Sequence, residues 1–284
     1  TTLQRDANRW LGYSAQQTLD YVQSLYEQQL STYPRTDSRY VTDDMEDELE
    51  ELAEELEEEL GMDLDWEDID DDPVHIARIV NSRKVSDHHA ILPTRKMLQI
   101  DIDSLPEGER NILRLIITRL MVSVSPPYKY EETHLETECA GEFFSAKSMV
   151  VLQEGWKRTQ WEMLKDILGK AKEPPRSQPV LEEGEVAITS AEMKEGQTSP
   201  PKPYTEDTLL SAMETAGKDR MPEEAERRGI GTPATRAAII EKLVKKGFLT
   251  REGTGKTKNL IPTQKGRELI AVMPETIQSP DMTA

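Results

Sequence analysis

Apolar positions recur along this chain with two different periods. After Ser14, which forms a capping box with Gln17, Leu19, Val22, Leu25 and Tyr26 fall on one face of a helix running to about Gln29. Leu30 to Tyr33 reads as short and extended, and Pro34 holds Tyr33 out of the helical region. Helical spacing returns in Met45, Leu49, Leu52, Leu56 and Leu60, between a Thr42 N-cap and a Gly61 stop. The residues between them are acidic, so the pattern predicts a solvated amphipathic helix followed by an acidic loop. A third helix is predicted from about Pro106 to Val124, with Ile112, Leu113, Ile116, Ile117 and Leu120 inward and Pro126-Pro127 as its stop. From Tyr128 the character changes. Tyr128, Tyr130, Leu135 and Phe143 to Leu152 sit in strand-like stretches, broken at Ala140-Gly141-Glu142. Residues 170–179 and 196–203, rich in Pro, Lys and Ser, read as loops or domain crossings.

The last 80 residues follow a different plan. Thr205 caps a helix through Leu209, Leu210 and Met213 to Gly217, and Thr232-Pro233 opens another that ends at Lys245-Lys246-Gly247. Phe248 to Thr250 then reads as a strand, Arg251 to Asn259 as a basic hairpin, Leu260 to Thr263 as the return strand, and Gln264 to Val272 as a last helix. Helix, turn, helix, strand, basic wing, strand is the winged-helix order, a pattern associated with nucleic-acid binding.

Charge changes this picture only once it is localised. The 284 residues carry a formal charge of −19, but residues 43–72 hold 19 acidic residues and no Lys or Arg. The remaining chain balances 35 acidic against 35 basic residues, so its charge does not repel nucleic acid. A single cysteine, Cys139, excludes a disulfide scaffold and a cysteine-built zinc site, and fits a reducing compartment. No apolar run approaches the ~18 residues of a membrane span. With Thr at position 1 and helix-like sequence a few residues later, the chain reads as a piece of something longer.

Three segments concentrate chemistry. Ser31-Thr32-Tyr33-Pro34-Arg35-Thr36-Asp37-Ser38 packs a phenol, a guanidinium and a carboxylate into a non-helical stretch. Arg35 lies on the same side as Tyr33 in an extended chain and can grip a phosphate bidentately, while a phenol needs such a neighbour to act as a nucleophile. The competing reading is a buried tyrosine anchoring a turn, with Arg35 paired to Asp37. Ser86-Asp87-His88-His89-Ala90-Ile91-Leu92-Pro93-Thr94 holds two of the four histidines. Adjacent in an extended segment, these point opposite ways and cannot jointly grip one metal through a helical i,i+4 face. A phosphate contact and a turn bonded to Asp87 both remain open. Gly229-Ile230-Gly231-Thr232-Pro233-Ala234-Thr235-Arg236 sets two glycines, two hydroxyls and a cation at a helix start, a ready anion site, though an ordinary capped helix has the same grammar. It lacks the Gly-Lys-Ser/Thr ending of a Walker A loop. Asp63-Leu64-Asp65-Trp66-Glu67 and Asp101-Ile102-Asp103 follow no apolar strand that would hold a magnesium rigidly, and neither is taken as catalytic.

Taken together, the chain resembles the type IA DNA topoisomerases, and among them the bacterial topoisomerase III branch. The resemblance rests on four stretches in the family's order: Thr2-Leu3-Gln4-Arg5-Asp6-Ala7 leading to Leu11-Gly12-Tyr13-Ser14-Ala15, then Thr32 to Ser38, then His88 to Thr94, then Tyr204-Thr205-Glu206 with Gly229 to Arg236. It covers essentially the whole chain.

The resemblance implies an α+β, mainly α fold of winged-helix-like helical domains with part of a β-rich arch. Residues 1–124 would form the tyrosine-bearing gate domain. Residues 125–198 would hold partial arch and hinge segments interleaved with base-domain segments, and 199–284 the single-strand-binding base. Tyr33 would be the nucleophile forming a 5′-phosphotyrosine link, with Arg35 positioning the scissile phosphate. His88, and with it His89, would lie along the DNA together with Asp37, Thr232, Thr235 and Arg236. Thr232 and Ala234 stand where the topoisomerase I branch has a basic residue and a serine. Magnesium would serve the intact enzyme through an N-terminal Toprim domain bearing a glutamate, an Asp-x-Asp-x-Glu set and a lysine. No metal site is expected in these residues, which alone are not expected to relax supercoils. The implied partners are single-stranded DNA and DNA-processing proteins such as a helicase, in the cytoplasm at the nucleoid. Two other classes compete. A non-catalytic winged-helix binding module would bind DNA without covalent capture, and a tyrosine relaxase would require a histidine triad that His75, His88, His89 and His134 do not make.

Overall fold

The computed structural model describes residues 1–60, 76–139, 141–168, 192–217 and 229–278. Helix α1 (Thr2–Leu11) runs into α2 (Ala15–Glu27) through a tight turn. The reciprocal capping box expected of Ser14 and Gln17 is formed. Gly12 closes α1 at φ 76°, and a side chain there would also meet the Lys256 carbonyl oxygen at 2.5 Å. Backbone conformation and close approach both demand glycine. Gly12→Ala should therefore cost about 1–3 kcal/mol, read as a lower urea midpoint.

The first core gathers α1, α2, α3 (Glu46–Leu60), α4 (Glu107–Val124) and α5 (Trp156–Leu168). Helix α4 is its axis, with Ile112, Leu113, Ile116, Ile117 and Leu120 all buried as the spacing predicts. The acidic helix is less solvated than its composition suggests. Leu49, Leu52, Ala53 and Leu56 are buried, while Glu51 and Glu55 take Arg95 at 2.5 and 3.5 Å. Thr42 precedes a 3-10 turn, Asp43–Met45, and does not cap it through its side chain. Ser82 Oγ accepts the Asp43 N–H instead, at 3.0 Å, because the chain returns there from a distance the local pattern does not contain. Gly61 and the acidic loop lie outside the described residues. The pattern does not announce α5, whose Leu164 is fully buried against the same core.

A long ribbon of β1 (Lys129–Cys139) and β2 (Glu142–Gln153) leaves this core between α4 and α5. The strands pair antiparallel from Lys129 opposite Gln153 to Cys139 opposite Glu142, with Gly141 in the turn between them and Ala140 outside the described residues. No third strand joins it among the described residues, and Phe143 and Phe144 near its tip are 71% and 60% exposed.

The C-terminal unit follows the winged-helix order. Helices α6 (Glu206–Thr215) and α7 (Pro233–Lys245) are followed by β3 (Leu249–Glu252), β4 (Asn259–Pro262), α8 (Gln264–Val272) and α9 (Glu275–Gln278). Its small core is Ala15, Leu210, Ala237, Ile240 and Leu260. Ala15 is the first residue of α2, so the two cores meet at the α1–α2 turn. The wing between β3 and β4 folds onto that turn, with Thr257 Oγ1 donating to the Asn8 carbonyl at 2.9 Å. Among the described residues, no helix is long and apolar enough to cross a membrane.

Helix α1 ties the units together by charge. Arg5 and Arg9 both donate to Asp207 on α6, at 2.9 and 3.0 Å, and Asp6 accepts from Arg119 on α4 at 2.5 Å. The neighbouring Glu206 accepts the Ala15 N–H at 2.7 Å and the Arg251 guanidinium at 2.8 Å.

Candidate active site

Tyr33 is held on a short extended strand pinned at both ends. Helix α2 is closed by Gln29 at φ 62°, with the Leu30 N–H donating back to the Leu25 carbonyl at 2.8 Å. The chain reverses there and runs antiparallel to residues 90–94, pairing at Ser31 and Pro93. The Thr32 N–H donates to the Leu92 carbonyl, and Thr32 Oγ1 accepts the Leu92 N–H, each at 2.9 Å. Thr94 Oγ1 donates to the Gln29 carbonyl at 2.6 Å. Ser31 and Pro34 are buried on either side of a half-buried Tyr33. The His88–Thr94 motif is thus the scaffold on which the tyrosine strand lies, a pairing across 60 residues that sequence spacing does not reveal.

The Tyr33 ring meets two others. The His88 ring lies 4.4 Å away, tilted by 47°, and the Tyr26 ring stands edge-on at 5.4 Å and 78°. The His88 backbone is steadied by Thr36, whose hydroxyl donates to its carbonyl at 2.9 Å. His89 is half-buried, with Nδ1 2.7 Å from the Ala90 carbonyl, and does not join the stack. The Tyr33 hydroxyl makes no hydrogen bond to a described residue. Arg35 and Asp37 are exposed and form no ion pair, with each other or with any other described residue. The turn-anchoring alternative, in which Arg35 pairs with Asp37, is not what the fold contains. A phenol and an unpaired guanidinium two residues apart on an anchored strand can together hold a phosphodiester.

Tyr26 belongs to this group although its periodicity assigns it to the core face of α2. Thr18, Val22 and Leu25 are the buried positions, together with Ala15, and Tyr26, a further ~100° around the helix, is 39% exposed. Its place seven residues before Tyr33, at the end of a helix, is the one signal the sequence carries of this contact.

The second candidate group is the start of α7. Thr232 and Thr235 are exposed and form a reciprocal capping box, the Thr232 N–H donating to Thr235 Oγ1 at 2.7 Å. Gly229 and Gly231 take φ of 64° and 66°, and the Gly229 turn lies against the Met213 and Glu214 carbonyls at the end of α6. Arg236 is turned inward: only 3% exposed, it donates to the Ile230 carbonyl at 2.7 Å and to Thr1 Oγ1 at 3.0 Å. Burial pulls its guanidinium below the ordinary range, opposed by the Glu214 carboxylate. Glu214 also accepts from Arg39 at 3.4 Å, so the tyrosine loop and the Gly229 turn flank the same end of α6. Gln4 joins α1 to this region, its amide donating to the Ala15 and Pro233 carbonyls at 3.3 and 3.4 Å.

Among the described residues, no three His, Cys, Asp or Glu side chains converge as ligands for a metal ion. Asp101 instead caps the 3-10 turn Ile102–Ser104, accepting the Asp103 N–H at 3.0 Å, and Asp63 to Glu67 lie outside the described residues.

Comparison with known proteins identifies the family. A family model described as DNA topoisomerase matches residues 1–284. DNA topoisomerase 3 of Bacillus licheniformis is 37% identical over 304 residues, covering 100% of this chain and 39% of that protein. The DNA topoisomerase 3 of Bacillus subtilis has the same identity and coverage, and that of Bacillus cereus is 35% identical over 294 residues, again covering 100% of this chain and 39% of the relative. The chain thus spans about two fifths of the length of these relatives. In fold, it is similar to full-length topoisomerase I from Thermotoga maritima, with a TM-score of 0.70 at 24% identity over 100% of this chain and 43% of that one. The chain belongs to the DNA topoisomerase family, in its type IA class, with DNA topoisomerase 3 proteins among its relatives.

Proposed function

We propose that this chain is the strand-cleaving and strand-holding part of an enzyme that cuts one DNA strand, passes another through the gap and reseals it without ATP. The observation that carries the proposal is the Tyr33 ring, in contact with Tyr26 and His88 on a pinned strand, with no hydrogen bond to its hydroxyl and no ion pair to Arg35 among the described residues. In this reading the Tyr33 oxygen attacks the scissile phosphorus. A phosphotyrosine bond forms to the 5′ end as the P–O3′ bond breaks, and the departing 3′ oxygen takes up a proton. Resealing is the reverse, so one phosphodiester is exchanged for another and no nucleotide is consumed. Arg35 neutralises the charge that builds on the phosphate oxygens. His88, next to the tyrosine, lines the same phosphate, and His89 and Asp37 border the strand.

The exposed start of α7, with Thr232 and Thr235, supports binding of the single-stranded backbone through its N–H groups and dipole. Buried Arg236 acts there by fixing the Ile230 turn. Magnesium belongs to this reading through residues outside this chain, and no step above runs through it. Single-stranded DNA is the proposed substrate, the bacterial cytoplasm the proposed setting, and a DNA-processing protein such as a helicase a further proposed partner.

The test is to trap the full-length protein on a single-stranded oligonucleotide with magnesium, denature it, digest it and weigh the peptides. The nucleotide mass should sit on the peptide containing Tyr33. Nucleotide on another residue would remove Tyr33 from this role, and salt-dependent binding with no adduct would favour the non-catalytic module.

A further inference from the structure

We propose that Tyr26 is a positioning residue for the strand-cleaving tyrosine, a fixed wall that holds the Tyr33 ring when His88 turns to the DNA. The inference rests on the reading of Tyr33 as nucleophile. It starts from an anomaly: Tyr26 is an aromatic residue on the otherwise apolar-patterned side of α2, yet it stays 39% exposed. Its hydroxyl makes no hydrogen bond to a described residue, so neither core packing nor a polar anchor accounts for it. What it touches is Tyr33, edge to face at 5.4 Å and 78°, the arrangement favoured by the ring quadrupoles.

The two walls of the Tyr33 ring are built differently. Tyr26 stands on the last turn of α2, whose exit is closed by the Leu30–Leu25 and Gln29–Tyr26 backbone bonds. The same end of the helix is held at its side by Glu109 of α4, which accepts from Ser24 Oγ at 2.9 Å and from the Gln28 amide at 2.8 Å. Thr94 and Lys96 bond the Gln29 and Gln28 carbonyls just beyond it. These bonds fix the backbone from which the Tyr26 ring projects. His88 sits on an exposed loop, steadied through its backbone by Thr36, and its imidazole makes no hydrogen bond to a described residue. An imidazole that leaves the stack to meet a phosphate removes one wall. The Tyr26 ring is the contact that then holds the phenol in place.

The experiment uses the full-length enzyme and measures single-turnover cleavage of a single-stranded oligonucleotide at saturating concentration, with the dissociation constant for the same DNA measured in parallel. Tyr26→Ala and Tyr26→Leu should each slow adduct formation about fivefold, ~1 kcal/mol, with the dissociation constant within about twofold of the parent. Tyr26→Phe, which keeps the ring and loses only the idle hydroxyl, should restore the rate. A role in fold stability alone would leave the maximal rate per folded molecule unchanged, and that result overturns the proposal. A loss confined to DNA affinity overturns it too, making Tyr26 a base-stacking surface. Tyr33→Phe is run beside them. If it abolishes the adduct while Tyr26→Ala cleaves at the parental rate, only the positioning role fails. If Tyr33→Phe still forms the adduct, the nucleophile assignment fails and the positioning role goes with it.

Discussion

Replacing Tyr33 by Phe should abolish the covalent adduct in the full-length enzyme, to below about a thousandth of the parental yield, with affinity for single-stranded DNA within about twofold. The size of the effect follows from what the substitution removes. Only the hydroxyl is lost, and it makes no hydrogen bond to a described residue, so no buried partner is stranded. The ring keeps its contacts with Tyr26 and His88, and the strand keeps its backbone bonds to residues 92 and 94. Fold, ring position and the exposed Arg35 all survive, while the attacking atom does not. The measurement is a denaturing gel of protein bound to end-labelled oligonucleotide, beside a filter-binding titration. A Tyr33→Phe protein that still carried label through denaturation would assign the covalent link to another side chain.

The second large effect is expected at Asp207. This residue is 8% exposed and receives Arg5 at 2.9 Å and Arg9 at 3.0 and 3.1 Å, while its own N–H donates to Asn8 Oδ1. Asp207→Ala takes the shared carboxylate from two partly buried guanidiniums and leaves Arg9 only Asp6, at 3.8 Å. The cost should be about 2–4 kcal/mol, below that of a fully buried pair because both arginines keep part of their hydration. It should appear as faster hydrogen exchange of the α1 and α6 amides, since those helices are joined by this contact.

The pH dependence has a definite sign. Burial pushes the Asp207 carboxyl up, but the hydrogen bonds from Arg9 and Arg5 outweigh it and hold the group below the ordinary carboxylate range. A carboxyl depressed in the folded state contributes stability that is complete above its unfolded value, near ~3.9, and is lost as pH falls through the lower folded value. Protection of α1 should therefore be flat from neutral pH to about 5 and fall below about 4. In Asp207→Asn that acid-side decline should be much reduced. An unchanged decline in the Asn variant would assign the acid sensitivity to other carboxylates.

On the proposed strand-passage reading, the α1–α6 contact also bears on how the two units would separate. Helix α1 is packed with the tyrosine-bearing core and at the same time bonded to α6, to the wing and, through Gln4, to the start of α7. Any movement that lifts the tyrosine unit from the C-terminal unit must break this set or carry α1 across. Exposed surface pairs would offer little resistance, whereas a shared carboxylate with little solvent access resists strongly.

Much of this protein is determined by local sequence. The capping residues Ser14, Thr205 and Thr232 start helices where their hydroxyls accept an N–H of the first turn, a rule that needs only neighbours within three or four residues. The inward face of α4, the turn of the ribbon and the winged-helix order are likewise local in origin, and so were legible. The four motifs carry the family resemblance without reference to any contact. What local pattern could not contain was which distant segment lies beside which. That His88 to Thr94 forms the bed of the Tyr33 strand, that Ser82 serves Asp43 and that α5 closes the first core follow from chain reversals across tens of residues. Exposure was also decided in three dimensions. Arg236 has the composition of a phosphate ligand but is drawn inside, because the Ile230 carbonyl and Thr1 hydroxyl offer it partners there. Tyr26 has the composition of a core residue but is left at the surface, because α2 turns Leu25 and not its neighbour to the core and the reversal at Gln29 brings Tyr33 over it. The sequence by itself determined most of the elements, α5 excepted, and the chemistry available to them. The tertiary structure decided which of those groups meet, because burial and partnership depend on segments far apart in the chain.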